Sequence, residues 1–101
     1  MAGKKLIWSA RAKRDLKEIV QFYRQRNGNN EYGLKLLQAF RQATLRVEKN
    51  ELSGQRFEYT DLRFVVVLGT YQMFYQIGKK RNKVVTVWDG RRNPDDLKFD
   101  E

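Results

Sequence analysis

The spacing of apolar residues changes once along this chain, and that change restricts the fold more than any other feature. Up to about residue 49, apolar residues recur every three or four positions, as on one face of a helix. From residue 63 they alternate or form short β-branched runs, as in strands. Each half therefore exposes an apolar face that the other half can cover. We expect a single α+β domain over residues 1–101.

The first half predicts a short strand followed by a helical hairpin. Residues 5–8 favour a strand, and Ser9 is a good N-cap for the helix that follows. That helix carries an apolar stripe of Ala12, Leu16, Ile19, Val20 and Tyr23. Residues 27–30, Asn-Gly-Asn-Asn, combine a helix stop with a new N-cap. A second helix should then run from about Glu31 to Lys49.

The second half predicts a three-stranded meander. We expect strands at residues 63–68, 71–77 and 84–88, with a two-residue turn at Gly69 and Thr70. Residues 50–62 have no persistent period and should form a loop, in which Phe57 and Tyr59 could reach the core. Asn93 and Pro94 favour a short terminal helix. The predicted order is β-α-α-β-β-β, with the helical hairpin packed on a small antiparallel sheet.

The charge of the chain points to an anionic partner. Lysine and arginine number 21 against 12 acidic residues, which gives a formal net charge of +9. Cysteine and histidine are absent, which excludes thiolate chemistry and the commonest metal ligand and general base. We therefore expect no metal and no cofactor. No apolar run approaches the roughly 20 residues that span a bilayer, and a cytoplasmic protein is expected.

Three segments resemble the RelE/ParE toxin superfamily in this order. They are residues 8–23, where a strand end leads into a basic helix; residues 71–77, a tyrosine-containing strand; and residues 84–94, a final strand with a double arginine. The resemblance covers essentially the whole chain. It implies the fold given above and the toxin half of a bacterial type II toxin–antitoxin pair. In such a pair, an antitoxin wraps over the helices and sheet of the toxin.

Members of this superfamily follow two routes to growth arrest, and the fold alone does not choose between them. Some cleave messenger RNA on the ribosome, which we take as the first interpretation. Others bind DNA gyrase without nuclease activity, which is the alternative. A non-catalytic basic module that binds nucleic acid ranks third, because it rests on charge alone and no recognition motif supports it.

Ribosome-dependent cleavage implies a specific set of side chains. The resemblance places Arg63 and Arg92 at two of its basic positions, where they would stabilise the phosphorane. Gln72 occupies a third basic position, and Phe99 stands where a tyrosine is expected. Substitutes would be needed, and the candidates are Arg91, Tyr75 and a carboxylate from Glu58, Asp61 or Asp89.

Each candidate also has a structural interpretation. The two arginines at 91 and 92 could pair with Asp95 and Asp96 at a solvated strand end. Tyr71 and Tyr75 share a face with apolar neighbours, which favours core positions with hydrated hydroxyl groups. Asp89 before Gly90 is typical of a turn.

Two further surfaces are predicted. A basic cluster in the turn between the last two strands could bind nucleic acid or be an ordinary solvated loop; its residues are Lys79, Lys80, Arg81 and Lys83. On the second helix, Leu34 and Leu45 widen the apolar arc. With Arg41, they could bind an antitoxin. The interpretation favoured by the pattern is instead that these leucines contact both the sheet and the first helix.

Overall fold

The computed structural model describes residues 4–97. The chain begins with a strand, β1 (Leu6–Trp8), followed by two helices, α1 (Ala10–Asn27) and α2 (Glu31–Lys49). Four strands follow: β2 (Gln55–Arg56), β3 (Leu62–Val67), β4 (Tyr71–Gln76) and β5 (Asn82–Asp89). A short 3₁₀ turn occupies Pro94–Asp96, where a terminal helix was predicted. The predicted α+β class and element order are confirmed, with β2 as an addition inside the expected loop.

The helical hairpin forms largely as its sequence predicts. The Ser9 hydroxyl accepts a hydrogen bond from the Ala12 amide and so caps α1. Gly28 ends α1 in the left-handed region at φ 72°, a conformation that a residue without Cβ adopts at little cost. At the start of α2 the side chain of Asn30 makes no cap bond. Asn29 instead accepts from the Glu31 amide.

The sheet is mixed, with the strand order β1-β5-β4-β3-β2. Strands β3, β4 and β5 form the predicted antiparallel meander, whereas β1 pairs in parallel with β5, from Leu6 opposite Asn82 to Trp8 opposite Val84. The predicted small antiparallel sheet is thus extended at this edge by a parallel strand, a pairing that was not predicted. Local patterning carries no information about a pairing between residues so far apart in sequence.

The hairpin between β3 and β4 turns one residue earlier than predicted. Leu68 and Gly69 have positive φ values of 54° and 68°, and the Thr70 amide donates to the Val67 carbonyl. Gly69 is therefore the second residue of the turn rather than the first. Leu68 adopts a conformation that is costly for a side chain with Cβ.

Both helices pack on one face of the sheet, and the core lies between the helices and that face. Apolar residues of α2 meet alternate residues of the strands there; the buried set includes Leu36, Phe40, Val47, Val65, Tyr71, Met73, Tyr75, Val84 and Val87. On the opposite face, which we call the outer face, Phe57 packs against Phe64 and Phe74. Phe57 therefore anchors the loop as predicted, whereas Tyr59 is fully exposed. Among residues 4–97, no helix combines the length and the apolar character needed to cross a membrane.

Candidate functional site

The end of β5 is held by an arginine that folds back onto its own strand. Arg91 donates from Nε and Nη2 to the two carboxylate oxygens of Asp89, at 3.0 and 2.8 Å. The Arg91 amide also donates to Asp89 Oδ1, the side-chain turn expected at this aspartate. These hydrogen bonds lower the pKa of Asp89 and raise the pKa of Arg91. Arg91 thus pairs with Asp89, not with Asp95 or Asp96.

Two tyrosines connect this segment to the helices. Arg91 Nη2 donates to the Tyr23 hydroxyl at 3.2 Å, and the Tyr71 hydroxyl lies 3.4 Å from the same oxygen. The hydrogen bonds from Tyr71 and Arg91 lower the pKa of Tyr23, whereas burial raises the pKa of Tyr71. The Tyr23 ring packs edge-on against Tyr32 at 4.5 Å, which links the site to α2. The hydroxyl of Tyr71 is therefore engaged with a second phenol.

Arg92 is placed differently from its neighbour. Its guanidinium carbon lies 4.4 Å from the ring centroid of Trp88, a cation–π contact on the outer face. Within residues 4–97, the Arg92 side chain makes no hydrogen bond and no ion pair. Its donors are therefore available to an anion, and the binding of an anion by Arg92 stays a prediction.

A cleft of about 350 Å³ separates α1 from the end of β5. We call it the α1–β5 cleft; its lining residues are Asp15, Glu18, Ile19, Phe22, Tyr23, Tyr71, Val87, Asp89, Arg91 and Arg92. Asp15 closes one end, since its carboxylate accepts from the Thr86 hydroxyl and the Val87 amide. Sequence reasoning missed Asp15 and placed Tyr23 only in the core stripe, because helical periodicity does not reveal which strand edge a helix will face.

Arg63 and Tyr75 lie at the other end of the sheet and hold the chain that leaves α2. Arg63 Nη1 donates to the Gly54 carbonyl at 2.8 Å. The Tyr75 hydroxyl donates to the Glu51 carbonyl at 2.6 Å and accepts from the Gly54 amide at 2.9 Å. Tyr75 is 0% exposed. Its hydroxyl is neither hydrated nor open to a substrate, so the structure does not favour the predicted catalytic role.

The four residues proposed for RNA cleavage therefore form two separate groups. Tyr71 pairs with Asp89 at one end of β4, whereas Tyr75 pairs with Arg63 near the other end. Four residues of a strand span about 13 Å. Tyr75 and Arg92 also lie on different faces of the sheet, because Tyr75 is in the core and Arg92 stacks on the outer face.

The outer face itself is mostly apolar between these ends. Gln72 lies there, between Val66 and Trp88 on the neighbouring strands, and next to it lie Phe64 and Phe74. The substitute carboxylates do not gather there. Glu58 and Asp61 are exposed in the loop before β3, and Asp61 accepts from Gln76. Phe99 lies outside the described residues.

The predicted basic cluster occupies the turn that joins β4 to β5 and the start of β5. All four of its side chains are exposed: Lys79, Lys80, Arg81 and Lys83. The turn is held by Asn82, which is buried, accepts from the Gly78 amide and donates to Glu51. The cluster thus lies at the end of the sheet opposite Arg91 and Arg92.

The apolar excess on α2 faces solvent. Leu34 is 61% exposed and Leu45 is 49% exposed, and Arg41 lies between them on the same helix face. Leu37, beside them, is also exposed. The favoured interpretation, in which these leucines contact the sheet and α1, is therefore wrong for both. We call the face formed by Leu34, Leu37, Arg41 and Leu45 the outer α2 stripe.

Comparisons with known proteins agree with this architecture. A solved chain described as "Chromosomal ParDE TA system from P. aeruginosa" superposes with a TM-score of 0.74 at 19% identity, covering 85% of this chain and 95% of that one. No curated protein sequence matches the chain. Residues 6–94 match the family described as "ParE toxin of type II toxin-antitoxin system, parDE". Because that match spans most of the sequence, the chain belongs to the ParE family of toxins of type II toxin–antitoxin systems.

Proposed function

We propose that this toxin arrests growth by binding and inhibiting DNA gyrase, without nuclease activity. The observation that carries the proposal is the separation of Arg63 and Tyr75 from Arg91 and Arg92. In-line attack by a 2′-hydroxyl needs a base, an acid and cations within hydrogen-bond reach of one phosphate. Two groups at opposite ends of a sheet do not meet that requirement. The family match also favours gyrase over the ribosome.

A gyrase inhibitor needs a binding surface rather than a catalytic cluster. The end of β5 offers one, since Arg92 has free donors and Arg91 is fixed in place by Asp89 and Tyr23. A cation held on an aromatic ring loses little side-chain entropy when it binds. Arg92 is therefore the side chain that we assign to the gyrase contact.

The target can be tested with two reactions run side by side. Purified toxin should inhibit DNA supercoiling by gyrase and leave both translation and the messenger intact in a cell-free translation reaction. Heat-unfolded toxin provides the control. Messenger fragments that end in a 2′,3′-cyclic phosphate would instead support ribosome-dependent cleavage. Binding to RNA and DNA without inhibition of either reaction would support the third interpretation, a nucleic-acid-binding module.

We further propose that an antitoxin binds the outer α2 stripe. Three leucines exposed on one helix face form an apolar surface that an amphipathic segment can cover. Arg41 and the net charge of +9 favour an acidic partner. Because apolar burial is insensitive to screening, salt should weaken this complex without dissociating it.

A pair of matched variants tests the antitoxin surface. Leu34→Glu should weaken binding of the antitoxin encoded by the adjacent gene at least about tenfold, or ~1.4 kcal/mol. Leu52→Glu should have no effect, because Leu52 is equally exposed but follows α2 in the loop. Equal affinities for the two variants, measured by calorimetry, would place the antitoxin elsewhere.

A further inference from the structure

Beyond Val84, no strand of residues 4–97 pairs with β5 on the side away from β4. β1 pairs with residues 82–84 only, and the chain then enters α1 at Ala10. The rest of the β5 edge therefore faces α1 across the α1–β5 cleft, with Ser9 and Asp15 reaching its nearer part. An edge without a strand neighbour exposes backbone groups that can pair with another chain.

The register identifies which backbone groups are open. Gly90 donates to the Thr70 carbonyl, so hydrogen bonds to β4 fall on every second residue from Gly90 back to Thr86. The backbone groups of Val87 and Asp89 consequently point away from β4. Two of these are occupied, because the Val87 amide donates to Asp15 and the Asp89 carbonyl accepts from Arg92.

The other two groups, the Val87 carbonyl and the Asp89 amide, have no hydrogen-bond partner within residues 4–97. Both belong to residues that line the cleft, and Val87 is only 4% exposed. Backbone groups in such positions are almost always paired, with protein or with water. A vacant acceptor and donor, two residues apart on one strand edge, match the spacing that a neighbouring strand satisfies.

We propose that the α1–β5 cleft is a slot in which a segment of the antitoxin adds a strand to β5. One residue of that segment donates its amide to the Val87 carbonyl and accepts at its own carbonyl from the Asp89 amide. A single residue makes both bonds only when the strands are parallel. The added strand thus continues the line of β1 and runs in the same direction as β5.

The walls of the slot define the side chains that fit it. The residue opposite Trp88 shares the outer face with that ring, where the free guanidinium of Arg92 favours a carboxylate. Its two neighbours point toward α1, where Ile19 and Phe22 form an apolar wall, and Phe22 is 55% exposed. The segment therefore alternates apolar, acidic and apolar residues.

The antitoxin is a better occupant than a second copy of this toxin. Two copies would each carry a net charge of +9 and repel, whereas a segment with net negative charge is attracted by the charge of the chain as a whole. This proposal rests on the antitoxin being a partner, as proposed above; it shares Arg92 with the proposed gyrase contact but does not require that contact. It also uses a surface different from the outer α2 stripe, so an experiment can refute either antitoxin surface without refuting the other.

Amide hydrogen exchange of the full toxin, followed by NMR, tests the slot. In the free toxin, the Asp89 amide should exchange about 100-fold faster than that of Trp88, which is bonded to β4. In the complex with the antitoxin encoded by the adjacent gene, Asp89 exchange should slow about 100-fold. Phe22→Ala should weaken the complex about tenfold, and Leu52→Ala, at a similarly exposed but remote position, should not.

Three results would overturn the slot. Unchanged Asp89 exchange in a complex that protects the outer α2 stripe would leave the antitoxin proposal standing without it. Protection of Asp89 in toxin alone, growing with concentration, would assign the slot to a second copy. Absence of any binding would overturn this proposal and the antitoxin partner together.

Discussion

The carboxylate of Asp15 on α1 accepts a hydrogen bond from the hydroxyl of Thr86 on β5 at 2.7 Å. The same oxygen accepts from the Val87 amide at 3.2 Å. A side chain of the first helix thus takes the place of a neighbouring strand at the edge of β5. This contact fixes where α1 lies on the sheet and where the α1–β5 cleft begins.

Replacing Asp15 should destabilise the fold. Asp15→Ala leaves the Thr86 hydroxyl and the Val87 amide without their acceptor, and we expect a loss of about 1–3 kcal/mol in the free energy of unfolding. Asp15→Asn keeps one acceptor oxygen and should cost less. Glu18→Ala, an exposed acid on the same helix, should change stability by no more than about 0.5 kcal/mol. Urea unfolding measures all three, and equal values for the two alanine variants would contradict the role of Asp15.

Local chemistry explains the parts of the fold that the sequence predicts. The Ser9 cap, the Gly28 stop and the change of period at the strands each depend on residues close in sequence. The bounds of α2 match the prediction for the same reason. The parallel pairing of β1 with β5 and the two-residue strand β2 depend on residues distant in sequence, so no local pattern predicts them.

In the candidate site, too, some features could be predicted from the sequence and others depend on the tertiary structure. The resemblance placed Arg92 at a basic position of the site, and its side chain makes no hydrogen bond or ion pair within residues 4–97. Arg63 was grouped with it by the same resemblance and Tyr75 as a substitute, but a strand's register and length decide which end of the sheet each residue reaches. The exposure of Leu34 and Leu45 fits the less favoured of the two interpretations, since the apolar pattern of a helix is the same whether it faces a core or a partner.

The hydroxyl of Tyr75 should contribute to stability and not to toxicity. Tyr75→Phe leaves the Glu51 carbonyl and the Gly54 amide without a buried partner, for an expected loss of about 1–3 kcal/mol. Tyr59→Phe, at a fully exposed position, should leave stability unchanged. Growth arrest per folded molecule should match the wild type in both variants. A folded Tyr75→Phe protein without toxicity would restore the catalytic role.

The hydrogen bond between Tyr75 and Gly54 leaves little room for a side chain at position 54. A Cβ at Gly54 would lie 2.6 Å from the Tyr75 hydroxyl and 3.0 Å from the Phe64 carbonyl oxygen. Since the latter is backbone, the clash would require the strand to move. The loop after α2 is thus fixed by a close approach as well as by hydrogen bonds.

Stability should fall at alkaline pH because of Tyr71. Burial raises the pKa of this phenol above its ordinary value of 10.0 in the folded protein. Its contribution is therefore fully present below pH 10 and is lost as pH rises through the folded pKa, by up to ~1.4 kcal/mol per pH unit. The neighbouring Tyr23 has a lowered pKa, so its ionisation acts in the opposite sense.

Comparison with Tyr71→Phe isolates this effect from the lysines, which titrate in the same range. Urea unfolding at pH 9, 10 and 11 should show a steeper loss for the wild type than for the variant. Parallel pH profiles would mean that Tyr71 does not carry the alkaline sensitivity.

The two arginines at opposite ends of the sheet separate gyrase inhibition from RNA cleavage. Arg92→Ala removes a solvent-facing cation that makes no hydrogen bond or ion pair within residues 4–97. It should lower gyrase inhibition at least about tenfold, or ~1.4 kcal/mol of binding, with stability little changed. Arg63→Ala removes a hydrogen bond to the Gly54 carbonyl and should cost about 1 kcal/mol of stability. Inhibition per folded molecule should then stay at the wild-type level.

Lys79→Ala controls for the loss of one positive charge, because Lys79 is exposed at the end of the sheet remote from Arg92. If inhibition reflected net charge alone, Lys79→Ala would match Arg92→Ala. If the toxin cleaved RNA, Arg63 and Arg92 would both be needed on one phosphate, and either variant would abolish growth arrest while remaining folded. A loss confined to Arg92 is what a gyrase contact at the end of β5 requires, since a binding surface there does not involve a guanidinium at the other end of the sheet that is already bonded to the backbone.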